Sequence, residues 1–265
     1  MRAVAVIPAR MSSSRFPGKP MALIHGMPMI GHCYCRVRLS DALSDTYVAT
    51  CDQEIFDYIE SIGGKVVMTS DTHERASDRA AEAMLKIEEA CGQKTDILVM
   101  VQGDEPMDTP GMITEALEPM LKDDSVQIVN LMGSIGSLAE FEDPNTVKVV
   151  AGSDGNAIYF SREPIPSRKK GVDKVPMLKQ ICIIPFQRDY LLQFNTTPEM
   201  PLERIESIDM LRVIETGGQV RMVMTEHQSI GVDTPEHLKR VEQLMADDRL
   251  MGSYINNPRS FREVL

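Results

Sequence analysis

The sequence predicts an α/β fold in which helices cover both faces of a mostly parallel sheet. Short β-rich runs alternate with helical patterns through the first half of the chain, with roughly one helix for each crossover between strands. The strand-like runs are apolar over several consecutive residues, which is typical of strands buried on both faces. The predicted strands are 3–8, 46–51, 65–69, 96–102 and 127–132, and the predicted helices are 28–40, 53–62, 77–91 and 109–122.

The second half of the chain is less regular. The turn-forming sequence SDGN lies between two apolar runs and predicts a hairpin. Thr-Pro-Glu at 234–236 predicts the start of a helix, because it supplies an N-cap residue, a proline at the first helical position and an acid in the first turn. The predicted strands here are 147–152, 157–161, 180–186 and 219–225, and the predicted helices are 201–218 and 234–248.

We predict one continuous domain over 1–265. A lobe inserted at about 155–200 carries a basic, proline-bearing loop, and a tail of unassigned role covers about 248–265. The sequence contains no internal repeat and no low-complexity linker that would favour two independent domains.

Composition limits the partners and the location. The net charge of -11 argues against nucleic acid or an anionic membrane surface as a partner, because both attract basic proteins. No apolar run is long enough for a membrane span, and the run at the start is too short for a signal peptide. The five cysteines are scattered and odd in number, so we expect a reduced protein in the cytoplasm.

The loop IPARMSSSRFPGKP follows the first predicted strand. In an open parallel sheet, ligands bind at the carboxyl ends of the strands, where this loop lies. Arg10, Arg15 and Lys19 fall within ten residues, Gly18 permits a close approach of the backbone, and three prolines restrict the loop. This predicts a triphosphate-binding loop that is neither a P-loop nor a G-x-G-x-x-G motif.

Two carboxylates follow other strands. Asp104 lies in VQGDEP after the fourth predicted strand, and Asp233 lies in GVDTP before the last predicted helix. Mg²⁺ binds one or two carboxylates together with phosphate oxygens and water, so the pair predicts a magnesium site.

Six motifs occur in the order found in the 3-deoxy-D-manno-octulosonate cytidylyltransferases, the CMP-Kdo synthetases, which the chain resembles up to about residue 245. They are IPARMSSSRFPGKP, VQGDEPM, PNTVKVV, AIYFSREPIP, PLERIESIDMLRV and GVDTPEHLKRV. The resemblance implies a Rossmann-like nucleotidyltransferase fold and a homodimer formed through the lobe. It also implies Mg²⁺-dependent transfer of CMP from CTP to an acidic acceptor such as Kdo, with release of pyrophosphate.

The resemblance also assigns residues. It implies catalytic roles for Arg10, Lys19 and Asp104, and metal binding by Asp104 and Asp233. The nucleotide would be bound by Pro8, Ala9, Arg10, Arg15, Lys19, Ser77, Arg79 and Gln102, where Ser77 and Arg79 belong to the segment RASDR. The acceptor would be bound by Arg79, Arg162, Gln180, Glu203 and Met210.

The chain departs from the family pattern in the half expected to face the sugar. The family's H-[IL]-G-[IL]-Y is here Gln180-Ile181-Cys182-Ile183-Ile184, a Gln before L-R is Met210, and the Gly of S-G-T-[DE]-R is Ala76. A site built to hydrogen-bond particular hydroxyls discriminates strongly, so these changes allow a different acceptor, such as an amino-ulosonate, another sugar acid or a small phosphonate. Retention of Kdo through other contacts is the alternative.

Two other functions compete with this one. A nucleotidyltransferase for sugar 1-phosphates would usually open with G-G-x-G-T-R, which IPARMSSSR does not resemble. A nucleotide-binding homologue without transfer activity would not need both Asp104 and Asp233. The sequence therefore favours an Mg²⁺-dependent cytidylyltransferase.

Overall fold

The computed structural model describes residues 1–12, 15–170 and 174–259. The strands are β1 Ala3–Ala9, β2 Leu23–Ile24, β3 Met27–Pro28, β4 Asp45–Thr50, β5 Val66–Met68, β6 Ile97–Val101, β7 Val129–Ser134, β8 Lys148–Ala151, β9 Ala157–Ser161, β10 Leu178–Ile181, β11 Ile183–Gln187 and β12 Arg221–Met224. The α-helices are α1 Met29–Arg38, α2 Gln53–Ser61, α3 Ala76–Cys91, α4 Pro110–Lys122, α5 Leu138–Glu142, α6 Arg188–Thr196, α7 Pro201–Glu206, α8 Met210–Glu215, α9 Pro235–Met245 and α10 Arg249–Tyr254.

The first sheet has the order β11-β6-β1-β4-β5. Its pairs β1–β4, β1–β6 and β4–β5 are parallel, and only β11 runs antiparallel to its neighbour β6. Alternate side chains of β1 enter two separate cores: Ala5 and Ile7 pack with α1, α2 and α4, and Val4 and Val6 pack with α3 and α6. Helices thus cover both faces of a mostly parallel sheet, which confirms the predicted fold class.

The second sheet is mixed and has the order β12-β7-β10-β8-β9. The fifth predicted strand, 127–132, becomes β7 of this sheet rather than a strand of the parallel one, because it pairs with β12 and β10. The predicted strand 180–186 is two strands, since the chain leaves the second sheet at Ile181 and enters the first at Ile183. Cys182 lies at this crossing point.

Most predicted helices agree with the structure to within three residues at either end. Thr109 precedes Pro110 at the start of α4, and the Thr234 hydroxyl accepts the His237 N–H at 3.2 Å at the start of α9. The exception is 201–218, which is two helices, because Ser207 adopts a left-handed conformation with φ 54° between α7 and α8.

The predicted lobe contains β9, β10, β11 and α6, and its residues 171–173 lie outside the described residues. Its role in dimerisation stays a prediction. The described part of the predicted tail, up to 259, forms α10, which packs on α1 through the buried Tyr254; 260–265 lie outside the described residues. Among the helices of the described ranges, none has the length and hydropathy to cross a bilayer.

Candidate active site

A cavity of about 1090 Å³ opens between the carboxyl ends of β1 and β6 and the second sheet. This is the edge at which the sequence placed the ligand. Of the predicted site residues, the cavity is lined by Pro8, Ala9, Arg10, Arg15, Lys19, Arg79, Gln102, Asp104, Arg162, Gln180, Met210 and Asp233.

The phosphate loop, 7–20, leaves β1 at Ala9 and turns back at Gly18, whose φ of 73° favours glycine. Its return is fixed by the Gly18 N–H, which donates to Met11 O at 3.0 Å. Lys19 then begins a single 3-10 turn, and its side chain points into the cavity.

Lys19 joins the two predicted metal ligands. Its Nζ lies 2.5 Å from Asp104 Oδ2 and 3.4 Å from Asp233 Oδ1. Burial alone would lower the pKa of Lys19, but the charges and hydrogen bonds of Asp104 and Asp233 raise it above its usual value. The backbone links the two carboxylates as well, because Val232 N–H donates to Asp104 O at 2.8 Å. The structure thus brings Lys19, Asp104 and Asp233 together.

The other basic residues of the loop are more exposed. Arg15 Nη2 lies 3.2 Å from Asp233 Oδ1, and Arg15 also contacts the Asn145 side chain. Arg10 is exposed, and its Nη1 donates to His73 O at 3.5 Å. Both guanidinium groups therefore keep N–H donors that can turn to an anionic ligand.

The turn after β6 approaches β1 closely, because Gly103 has no side chain. A Cβ at this position would lie 3.1 Å from Pro8 O and 3.0 Å from the Ile30 side chain. Gly103 thereby places Gln102 and Asp104 beside Pro8 and Ala9 at the cavity.

The start of α3 carries Ser77 and Arg79, the two residues of RASDR that were predicted to bind the nucleotide. Ser77 is fully buried and donates through Oγ to Asp209 Oδ2 at 3.0 Å, so it lies behind the cavity wall. Arg79 lines the cavity, but its guanidinium donates to Thr69 Oγ1 at 2.5 Å and to the carbonyls of Ser70 and His73. Arg79 thus holds the 69–73 loop in place at the cavity rim.

Two residues assigned to the acceptor have structural contacts in this chain. Glu203 is fully buried, does not line the cavity, and forms a bidentate pair with Arg212 at 2.6 and 2.7 Å. Arg162 lines the cavity, but its guanidinium donates to the carbonyls of Pro144, Glu206 and Ser207, leaving two N–H donors for a ligand. The geometry thus gives Glu203 an internal ion pair with Arg212, and its contact with the acceptor stays a prediction.

The second sheet and its neighbours form the wall opposite the phosphate loop, which we call the acceptor wall: Gln180, Ile181, Ile184 and Met210. Gln180 is half-buried, whereas Ile184 and Met210 are 3% and 1% exposed and contribute apolar atoms. Three of the departures from the family pattern, at Gln180, Ile184 and Met210, thus lie on one surface of the cavity.

A buried acidic pair lies behind Asp104. Ser229 Oγ is 2.8 Å from both Glu105 Oε2 and Asp108 Oδ1, and Cys182 N–H donates to Glu105 Oε1 at 3.0 Å. Burial raises the pKa of Glu105 and raises that of Asp108 well above its usual value. The Ser229 hydroxyl, which has a single proton, thus lies between the two carboxyl groups. The pair thus fixes the turn that carries Asp104 to Ser229 and to the backbone of Cys182.

Sequence reasoning missed several side chains of this cavity. Arg75 contacts Glu199 and lies 3.4 Å from Asp209, and Lys179 donates to Glu140 and Ser229 O. The sequence offered one signal for them: Arg75 begins the segment RASDR, Asp209 precedes Met210, and Lys179 precedes Gln180. The pairing of these charges depends on tertiary contacts that no spacing in the sequence indicates.

The comparisons agree with this geometry. The profile of the cytidylyltransferase family matches residues 4–230. Two relatives named 3-deoxy-manno-octulosonate cytidylyltransferase are each 41% identical: one from Geobacter metallireducens covers 93% of this chain and 98% of its own length, and one from Solibacter usitatus covers 94% and 96%.

The chain belongs to the 3-deoxy-manno-octulosonate cytidylyltransferase family. A solved structure of CMP:2-keto-3-deoxy-manno-octonic acid synthetase complexed with CTP superimposes with a TM-score of 0.84 at 38% identity, covering 93% of this chain and 99% of that one. The resemblance and the nucleotidyltransferase fold predicted for this cytidylyltransferase are confirmed.

Proposed function

We propose that the protein transfers CMP from CTP to the anomeric hydroxyl of Kdo and releases pyrophosphate. The observation that carries the proposal is the cluster of Lys19, Asp104 and Asp233 in the same cavity as Arg10 and Arg15. Relatives named for this reaction, and a related synthetase solved with CTP, support it.

In this reaction the acceptor hydroxyl loses its proton and its oxygen bonds to the α-phosphorus of CTP. The bond between the α-phosphorus and the bridging oxygen to the β-phosphate breaks, and pyrophosphate leaves. The protein's part is to align the two substrates and to compensate the charge of the phosphates through Arg10, Arg15 and Lys19. No side chain has to form a covalent intermediate.

We propose Mg²⁺ as the cofactor, held by Asp104 and Asp233. The donor set fits this ion, since both groups are carboxylates that face the cavity and touch the same Lys19 ammonium, which marks a place for positive charge. Among the described residues no cluster of three or more His, Cys, Asp or Glu could hold a metal by itself, so phosphate oxygens and water would complete the shell. When bound, the ion would neutralise charge on the phosphates.

The test is pyrophosphate release with CTP and Mg²⁺ across a panel of acceptors: Kdo, its 8-amino analogue, sialic-type acids and small phosphonates. We expect release with Kdo. Release with another acid alone would assign the protein a different acceptor, and absence of release with all of them would contradict the transferase.

We also propose a cytoplasmic homodimer. Ile158 lies on the edge strand β9 of the predicted lobe and is 58% exposed, and the five cysteines are free, as expected in a reducing compartment. Light scattering should give twice the chain mass for the native protein, and Ile158→Lys should lower it; a monomer at micromolar concentration would contradict the dimer.

A further inference from the structure

Two amide side chains lie side by side at the acceptor wall. Gln180 Nε2 donates to Asn130 Oδ1 at 2.6 Å. Asn130 Nδ2 in turn donates to two backbone carbonyls, Leu131 O and Ile181 O, each at 2.8 Å. Asn130 is fully buried, whereas Gln180 is half-buried and lines the cavity.

The two carbonyls determine the orientation of both amides. A carbonyl can only accept, so the Asn130 nitrogen must face Leu131 O and Ile181 O, and its oxygen must face Gln180. Gln180 must then offer its own nitrogen to that oxygen. This leaves Oε1 as the acceptor atom of Gln180, and within the described residues no donor contacts it. The backbone of Asn130 is itself fixed, since it belongs to β7, which is paired on both sides, with β12 and β10.

The surroundings of Gln180 make this oxygen distinctive. Its neighbours on the acceptor wall, Ile181, Ile184 and Met210, contribute apolar atoms to the cavity. A ligand group with a hydrogen-bond donor would lose water here and must recover a partner, which Gln180 Oε1 supplies. A ligand group that can only accept would meet an oxygen of the same polarity.

We propose that Gln180 determines acceptor specificity by accepting a hydrogen bond from a hydroxyl or ammonium group of the acid acceptor, and that Asn130 is the positioning residue that holds Gln180 in this orientation. This inference rests on the proposed function, since it takes the ligand at this wall to be the acceptor.

The experiment is a double-mutant cycle in the full-length protein. Pyrophosphate release is measured for the native chain, Gln180→Leu, Asn130→Leu and the double variant, with the acid from the panel that the native protein uses best. Each single change should raise the KM for the acceptor about five- to tenfold, the usual effect of one lost hydrogen bond. The KM for CTP should stay constant, and the double variant should match the single ones.

Additive effects of the two changes, or an unaltered acceptor KM in Gln180→Leu, would overturn the inference. Gln180→Leu keeps both bonds of Asn130 to the backbone, so it remains informative if Asn130→Leu folds poorly. Asn156→Leu is the matched control, because Asn156 is also a buried amide but lies in the 152–156 turn outside the cavity. It should lower the melting temperature without altering the acceptor KM.

Monodeoxy analogues of the acceptor test the donor itself. The native protein should lose affinity for one of them, and Gln180→Leu should show no such loss for that analogue; identical losses in both proteins would overturn the inference. If the native protein released pyrophosphate with no acid in the panel, the proposed function would fail and the inference with it. Release by the native protein with unaltered variants would reject the inference alone.

Discussion

Glu203 provides the sharpest test of the structure, because the sequence and the structure assign it different roles. The sequence resemblance implied a contact with the acceptor, whereas the structure buries the carboxylate fully against Arg212. The Arg212 guanidinium also donates to Phe194 O and Thr197 O and stacks 4.4 Å from the Phe194 ring. Arg212 therefore has a fixed position from which it cannot turn to solvent.

The change Glu203→Gln keeps the shape but removes the negative charge and places an NH₂ group against the guanidinium. Removing one partner of a buried ion pair costs about 3–5 kcal/mol, because the remaining charge is left uncompensated. For a chain of this size each kcal/mol shifts the melting temperature by about 2–4 °C. We therefore expect a fall of at least about 6 °C in thermal unfolding, with the acceptor KM little changed.

Glu118→Gln is the matched control, since Glu118 pairs with Lys122 on an exposed face of α4, at 59% and 70% exposure. Such pairs contribute about 0.3–0.5 kcal/mol, so its melting temperature should move by about 1–2 °C. An unchanged melting temperature in Glu203→Gln together with a raised acceptor KM would refute our reasoning and restore the ligand contact.

Four further outcomes are expected. Asp104→Asn should abolish turnover at every Mg²⁺ concentration while circular dichroism stays native, and full activity would reject the metal assignment. Calorimetry should give a CTP affinity at least about tenfold weaker in EDTA than with Mg²⁺. Without the ion, phosphates that bind Lys19 leave Asp104 and Asp233 without a cation, and these carboxylates repel the phosphates; equal affinities would contradict this. Burial lowers the pKa of His32 from its usual 6.5 to about 4, so the unfolded chain takes up the proton first as the pH falls. The free energy of unfolding should therefore decrease between about pH 6.5 and about pH 4, by about 3 kcal/mol. Urea unfolding at several pH values should show this loss in the native chain but not in His32→Gln. Asp248→Asn removes the charge partner of Arg36, 2.7 Å away, and should expose the tail to limited proteolysis; a tail that stays protected would contradict the docking of α10.

The elements of the parallel sheet were predictable because each carries its own local signal. Val4 and Val6 are apolar on one face of β1 and Ala5 and Ile7 on the other, so burial on both faces is visible in the sequence alone. The run 180–186 shows the limit of this signal. It is apolar after Gln180, yet the chain changes sheets at Cys182. The reason is that Glu105 and Gln102, in the turn after β6, hydrogen-bond to the backbone of Cys182.

The residues of the candidate site could likewise be predicted where the signal is local, but not where it depends on distant contacts. Arg10, Lys19, Asp104 and Asp233 could be found from position alone, since each follows or precedes a predicted element at the ligand-binding edge. Side chains whose role depends on a partner distant in sequence could not be found in this way. Asn130 acts through Gln180, fifty residues away, and no periodicity or motif connects the two.

The charges of the cavity explain how an acidic protein can bind an acidic nucleotide. Lys19 contacts both Asp104 and Asp233, and Arg15 contacts Asp233 as well, so the cations are already neutralised by carboxylates. A bare triphosphate would have to take these cations from the carboxylates and then lie beside them, which repulsion disfavours. A triphosphate accompanied by the proposed Mg²⁺ supplies an anion to Lys19 and Arg15 and a cation to the two aspartates, so each group that loses a partner gains another. The paired charges thus favour the magnesium complex of the nucleotide over the free nucleotide, even though the whole chain carries a net charge of -11.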